Sequence, residues 1–212
     1  MPIIIHGKNA TVEEYPFIVQ VEFYERILHS WTPNFTFTYI SQLNRSFKTV
    51  HIHPNYGKAA EFDADIACAK LVTPLQFGDV IKAVEMNKNK FSNQLKPDSL
   101  VQYIGWGDLS VGGNGSYVLQ QVTVNIVNNT KCAERYKKQY GKDVVTENMI
   151  CAGNWVHGGI DACQGDSGGP LYYNGLLFGI ISWGYYCARP EFPGVSTNIA
   201  AYAQWINETT TI

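Results

Sequence analysis

"GGIDACQGDSGGP", residues 158–170, decides how this chain is read. At its centre, Gly165-Asp166-Ser167-Gly168-Gly169 sets a serine among three glycines. Glycine tolerates the sharp backbone turns that bring neighbouring N–H groups close together. Two such donors aimed at one point stabilise a developing oxyanion, and a serine at that point can attack a carbonyl carbon. Taken alone, the five residues fit a glycine-rich turn that happens to contain serine equally well. A serine nucleophile also needs a base, so the flanking sequence and the histidines have to decide.

The 212 residues suit one large all-β unit or two domains of about 100 residues each. With 45% apolar and 16% charged side chains, the composition is globular. A net charge of −2 without any Lys/Arg run argues against nucleic acid or an anionic membrane as a partner. No apolar run approaches the roughly 20 residues of a membrane-spanning helix. Met1-Pro2-Ile3-Ile4-Ile5 is too short, and lacks the basic start, for a secretory leader. Other features still predict an extracellular protein. Six Asn-x-Ser/Thr sequons begin at Asn9, Asn34, Asn44, Asn114, Asn128 and Asn207, an excess over chance. The five cysteines lack metal-ligand spacing, so neither metal nor cofactor is expected. Four of them suit two bridges in an oxidising compartment, with one left over.

Short alternating stretches recur between turn signals: 16–23, 46–53, 99–107, 121–127, 175–184 and 193–199. Their period and Val/Ile/aromatic content predict antiparallel strands in barrels or a sandwich. Two stretches read as helices. Residues 128–141 have a polar start and a glycine stop. Residues 198–210 place Ile199, Tyr202 and Ile206 on one face. The polar segment 86–99 is the candidate linker.

The flanks of the serine carry a resemblance. "MICAG" (149–153), "DACQGDSGGP" (161–170), "ISWGYYCARPEFPGVSTNI" (181–199) and "IGWGDL" (104–109) resemble the chymotrypsin-like serine proteases, in their trypsin branch. "DADIACAKL" (63–71) and "IIHGKNATVEEYPFIVQV" (4–21) match more loosely, and the likeness is nearest to mite digestive trypsins. The resemblance implies an all-β fold of two antiparallel β-barrels with a C-terminal helix. Its divisions are a first barrel at 4–90, a second at 91–197 and the helix at 198–210. Ser167 is then the nucleophile, the N–H groups of Gly165 and Ser167 the oxyanion hole, and Asp65 the acid that orients a histidine. Asp161 lies at the floor of a pocket for Lys or Arg side chains, lined by Ser182, Trp183, Gly184 and Gly194. The resemblance also implies bridges Cys132–Cys151 and Cys163–Cys187, with Cys68 unpaired. Ile4 would supply an amine to pair with Asp166. The partner is a protein substrate, or a protein ligand if the chain is inactive, and the chain is expected to be a monomer.

The pattern breaks where the base should be. The family's Ala-Ala-His-Cys stretch is absent, and His6, His51, His53 and His157 all fall in segments with other counterparts. Only His29, in "RILHSW", is arguable, and it has no matching flank. From Glu22 to Ile52 there are 31 residues, short of the family's stretch by a block long enough for about two strands. That one block would also remove a cysteine pair, as a skipped or deleted exon does. The first barrel is therefore expected to be truncated. Met1-Pro2-Ile3 precedes the expected Ile4 terminus, Tyr186 stands where a glycine is usual, and Ser196 where an aromatic is usual. Three readings follow: a pseudoprotease that binds without cutting, an active Lys/Arg-specific endopeptidase with a substitute base, and an aberrant splice or gene-model product. A chain with little or no proteolytic activity is favoured over the active enzyme, because loss of a triad member costs of order 10⁶ in rate; the pseudoprotease and the aberrant product are not separated by the sequence.

Overall fold

The computed structural model describes residue 5 and residues 7–18, 20–23, 35–38, 45–89 and 95–211. In chain order its strands are β1 (Lys8–Asn9), β2 (Gln20–Phe23), β3 (Phe35–Thr38), β4 (Arg45–Ile52), β5 (Ala67–Leu71) and β6 (Glu85–Met86). They continue with β7 (Leu100–Gly105), β8 (Gln120–Val127), β9 (Met149–Gly153), β10 (Pro170–Tyr173), β11 (Leu176–Trp183) and β12 (Gly194–Asn198). Helix α1 (Asn129–Tyr140) lies between β8 and β9, and α2 (Ala203–Thr210) ends the chain after a 3-10 turn, Ile199–Tyr202.

β7 to β12 close on themselves. The hydrogen-bonded order is β8-β7-β10-β11-β12-β9, and β9 pairs back onto β8, giving a six-stranded antiparallel barrel. The alternation of β8 explains its orientation: Val122, Val124 and Ile126 are buried, and they meet Val101, Tyr103, Leu171 and Phe178 in one core. The expected bridges are present. Cys132–Cys151 ties α1 to β9 with Cα atoms 6.5 Å apart, and Cys163–Cys187 spans 5.3 Å, both within the usual disulfide range. Cys68 is free.

The first half is different. β2-β3-β4-β5 form a four-stranded sheet in hairpin order that does not close among the described residues. β1 and β6 pair instead with β8 and β11 of the closed barrel. The all-β fold with a C-terminal helix is thus as expected.

The helix signals also hold. The Asn128 side chain accepts from the Lys131 N–H at 3.0 Å, and Gly141 ends α1 with a left-handed φ of 70°. Ile199, Tyr202 and Ile206 pack on Ala64 and Ile66 of the first half. The ring of His53 rests against Tyr202 and Trp205, and Asp63 accepts from Thr146 and Asn148. These contacts hold the open sheet to the barrel. Among the described residues no helix is long and apolar enough to cross a membrane, and no cluster of His, Cys, Asp and Glu could hold a metal ion.

Candidate active site

Ser167 sits in the loop between the Cys163 bridge and β10, and it is exposed. Three backbone bonds shape the loop: Asp166 N–H to Cys163 O, Gly168 N–H to Ile181 O, and Gly169 N–H to Asp166 O. Gly165 and Gly168 take φ of 91° and 83°, the left-handed region that favours glycine. The amides of Gly165 and Ser167 donate to nothing among the described residues. Both residues are exposed, so these amides are donors that solvent or a ligand oxygen can reach.

The Asp166 carboxylate braces this loop from inside. It is 2% exposed and accepts from Gly107 N–H at 2.8 Å and Cys163 N–H at 2.9 Å. Burial pushes it up to about 6 despite those two donors. Gly107 has to be glycine, since a β-carbon there would meet Asp166 Oδ2 at 2.6 Å. The Gly107 role was not singled out from the sequence, although it lies in the "IGWGDL" match.

Asp65 precedes β5 and is half-buried. Its Oδ2 accepts from the Ser182 hydroxyl at 2.6 Å, and its carbonyl accepts from the Thr197 hydroxyl at 2.8 Å. Ser182, read from sequence as a pocket-wall residue, therefore also fixes the carboxylate. None of the three described histidines hydrogen-bonds to Ser167 or Asp65. His51 pairs across the sheet with Cys68. His53 accepts from Asn55 N–H through Nδ1 and packs on Tyr202 and Trp205. His157 lies in a turn held by Asn154. His6, His29 and Ile4 lie outside the described residues.

Asp161 is 3% exposed, at the barrel end. Its Oδ1 accepts from Ala162 N–H at 2.9 Å and its Oδ2 from Ala188 N–H at 3.0 Å. Burial pushes its carboxyl up to about 7, opposed by those two amides and assisted by the nearby charge of Asp166. Gly184 and Gly194 face each other above it: a β-carbon at Gly184 would lie 3.8 Å from the Gly194 Cα. At Gly194 it would crowd Asp161 Oδ1 at 2.9 Å. With no side chain at Gly184 or Gly194, nothing from these two residues fills the space beside the carboxylate. Trp183 stacks on Phe62 with ring centroids 5.5 Å apart. Tyr186 turns outward with φ 61° and 58% exposure, under the Arg189 guanidinium at 4.8 Å. The Tyr103 hydroxyl, on β7, lies on the same side of Gly194 as Asp161 Oδ1, a placement that no motif in the sequence announces.

Residues 34–206 match the family model Trypsin. The vitellin-degrading protease of Bombyx mori is 44% identical over 160 residues, 75% of this chain and 58% of that protein. A trypsin of Phaedon cochleariae is 42% identical over 161 residues, covering 76% and 59% respectively. Trypsin, alkaline B, of Manduca sexta is 41% identical over 170 residues, covering 79% and 62%. The chain spans about three fifths of the length of these relatives. A family match over most of the chain, these identities and the closed barrel agree: this chain belongs to the trypsin family of chymotrypsin-like serine proteases.

Proposed function

We propose that this chain is a secreted trypsin-family protein that binds basic side chains of proteins and hydrolyses peptides little or not at all. The observation that carries the proposal is the company Ser167 and Asp65 keep. A base has to sit between them, bonded to both at ~2.6–3.2 Å. Asp65 accepts from Ser182 through Oδ2, and none of the described histidines, His51, His53 and His157, hydrogen-bonds to it or to Ser167. Unpaired oxyanion donors at Gly165 and Ser167 then supply residual polarisation only, about 10³–10⁴ over water.

Recognition does not need the base. Among the described residues Asp161 is buried with two amide partners and no cation to balance its charge. A Lys or Arg side chain entering between Gly184 and Gly194 supplies it, with Ser182 and Trp183 along the wall. Asp166 carries a second buried charge, and the free amine of Ile4 would neutralise it. The bridge between Ile5 and Asp161 brings the start of the chain to this floor. Two disulfides and exposed sequons such as Asn114 fit an oxidising, glycosylating route to the outside.

Labelling by an organophosphonate, read as intact mass, tests the reading, because it requires an activated serine. Ser167 should stay unlabelled while the protein still binds benzamidine. Rapid labelling that His29→Ala abolishes would restore the active endopeptidase.

A further inference from the structure

We infer that Tyr103 is a specificity-determining residue of the Asp161 pocket: its hydroxyl and the Asp161 carboxylate together hold a primary ammonium, the head group of a lysine-type ligand. The inference rests on Asp161 being the floor of a pocket for basic side chains.

Tyr103 stands on β7 in the inward phase shared with Val101, within an otherwise apolar core, and is 1% exposed. A buried phenol normally finds a close partner. Here the hydroxyl has one hydrogen bond among the described residues, a long one of 3.5 Å to Ser196 Oγ on β12. A hydroxyl offers one donor and two acceptor lone pairs, so most of its capacity is unused. Ser196 is fully buried too, and its small side chain leaves the space that the Tyr103 ring reaches into.

The unused capacity faces the pocket. Gly194 lies two residues before Ser196 and therefore on the same side of β12. A β-carbon at Gly194 would stand 2.9 Å from Asp161 Oδ1 and 3.3 Å from the Tyr103 hydroxyl. The two oxygens thus flank one side of Gly194, where no side chain intervenes. Burial, with the charge of Asp161 adding to it, pushes the phenol up, so it remains a neutral hydroxyl able to accept.

Cation shape then matters. A planar guanidinium or amidinium sets two parallel N–H groups on the two carboxylate oxygens and gains little from a third oxygen to one side. An ammonium is a compact charge with three N–H groups radiating from one nitrogen. It can donate to Asp161 Oδ1 and to Tyr103 at once.

Benzylamine and benzamidine share a ring and differ in this head group, so they form a matched pair. Their dissociation constants are measured on the whole chain by competition with p-aminobenzamidine fluorescence. Tyr103→Phe should weaken benzylamine about tenfold, the scale of one hydrogen bond to a charged group, and benzamidine less than about twofold. Ser196→Ala, which releases the Tyr103 hydroxyl, should move benzylamine in the same direction by a smaller factor, and it serves if Tyr103→Phe misfolds. Equal losses for both ligands, or none, would overturn the role of Tyr103 while leaving the pocket in place. If Asp161→Asn fails to weaken either ligand, the pocket reading itself fails and takes this inference with it.

Discussion

Replacing Asp161 with asparagine isolates the energy of one buried charge at the barrel end. Burial moves this carboxyl from 3.8 up to about 7. Because the folded value is the higher one, the group stabilises the fold fully only below pH ~4, and that contribution is lost as pH rises through about 7. Between pH ~4.5 and ~7.5 the wild type should lose about 3 kcal/mol through Asp161 alone. Asparagine has no charge to bury and loses nothing over that interval. It does give up one acceptor, since its amide nitrogen must face the N–H of either Ala162 or Ala188, at about 1–2 kcal/mol at every pH. The two effects nearly cancel at the lower pH. At the higher pH the variant should be the more stable by about 2–3 kcal/mol, while losing the cationic ligand. Urea unfolding followed by tryptophan fluorescence at both pH values measures this. The same offset at both would mean that Asp161 titrates as an ordinary solvated carboxylate, which would refute its burial as the basis of recognition.

Gly194→Ala should reduce benzamidine affinity more than about tenfold, because its β-carbon would crowd Asp161 Oδ1 at 2.9 Å; a calorimetric titration checks it. Ser182→Ala removes the donor 2.6 Å from Asp65 Oδ2 and should cost about 1–3 kcal/mol in chemical denaturation. Ellman's reagent should find one thiol per native chain, Cys68, reacting more slowly than free cysteine because burial raises its pKa.

The second half was legible because its signals are local. In β8 the alternation of Val122, Val124 and Ile126 marks the buried face, and Asn128 and Gly141 bracket α1 by side-chain and backbone chemistry that needs no distant partner. β9 and β10 are only 5 and 4 residues long and show no sustained alternation; barrel closure defines them. β3 belongs to a sheet whose pairing partners set it. At the site, the cysteine pairing rested on the family resemblance, whereas the glycine pattern around Ser167 could be read directly. The double duty of Ser182 could not, since its partner Asp65 lies 117 residues away. Tyr103 was hidden as well. A tyrosine in an alternating strand reads as core, and its partner Ser196 lies 93 residues away in the chain.

The ring of six strands closes between Leu100 and Asn198 without borrowing a strand from residues 20–71. Excising part of the earlier sheet therefore breaks none of the ring's own ladders and neither disulfide. Asp161, Gly184 and Gly194, proposed to grip a basic side chain, all belong to that stretch, and so does Ser167. On the proposed reading, loss of a block of the earlier sheet would remove the base and leave the grip in place, so a single genetic event would part binding from cutting.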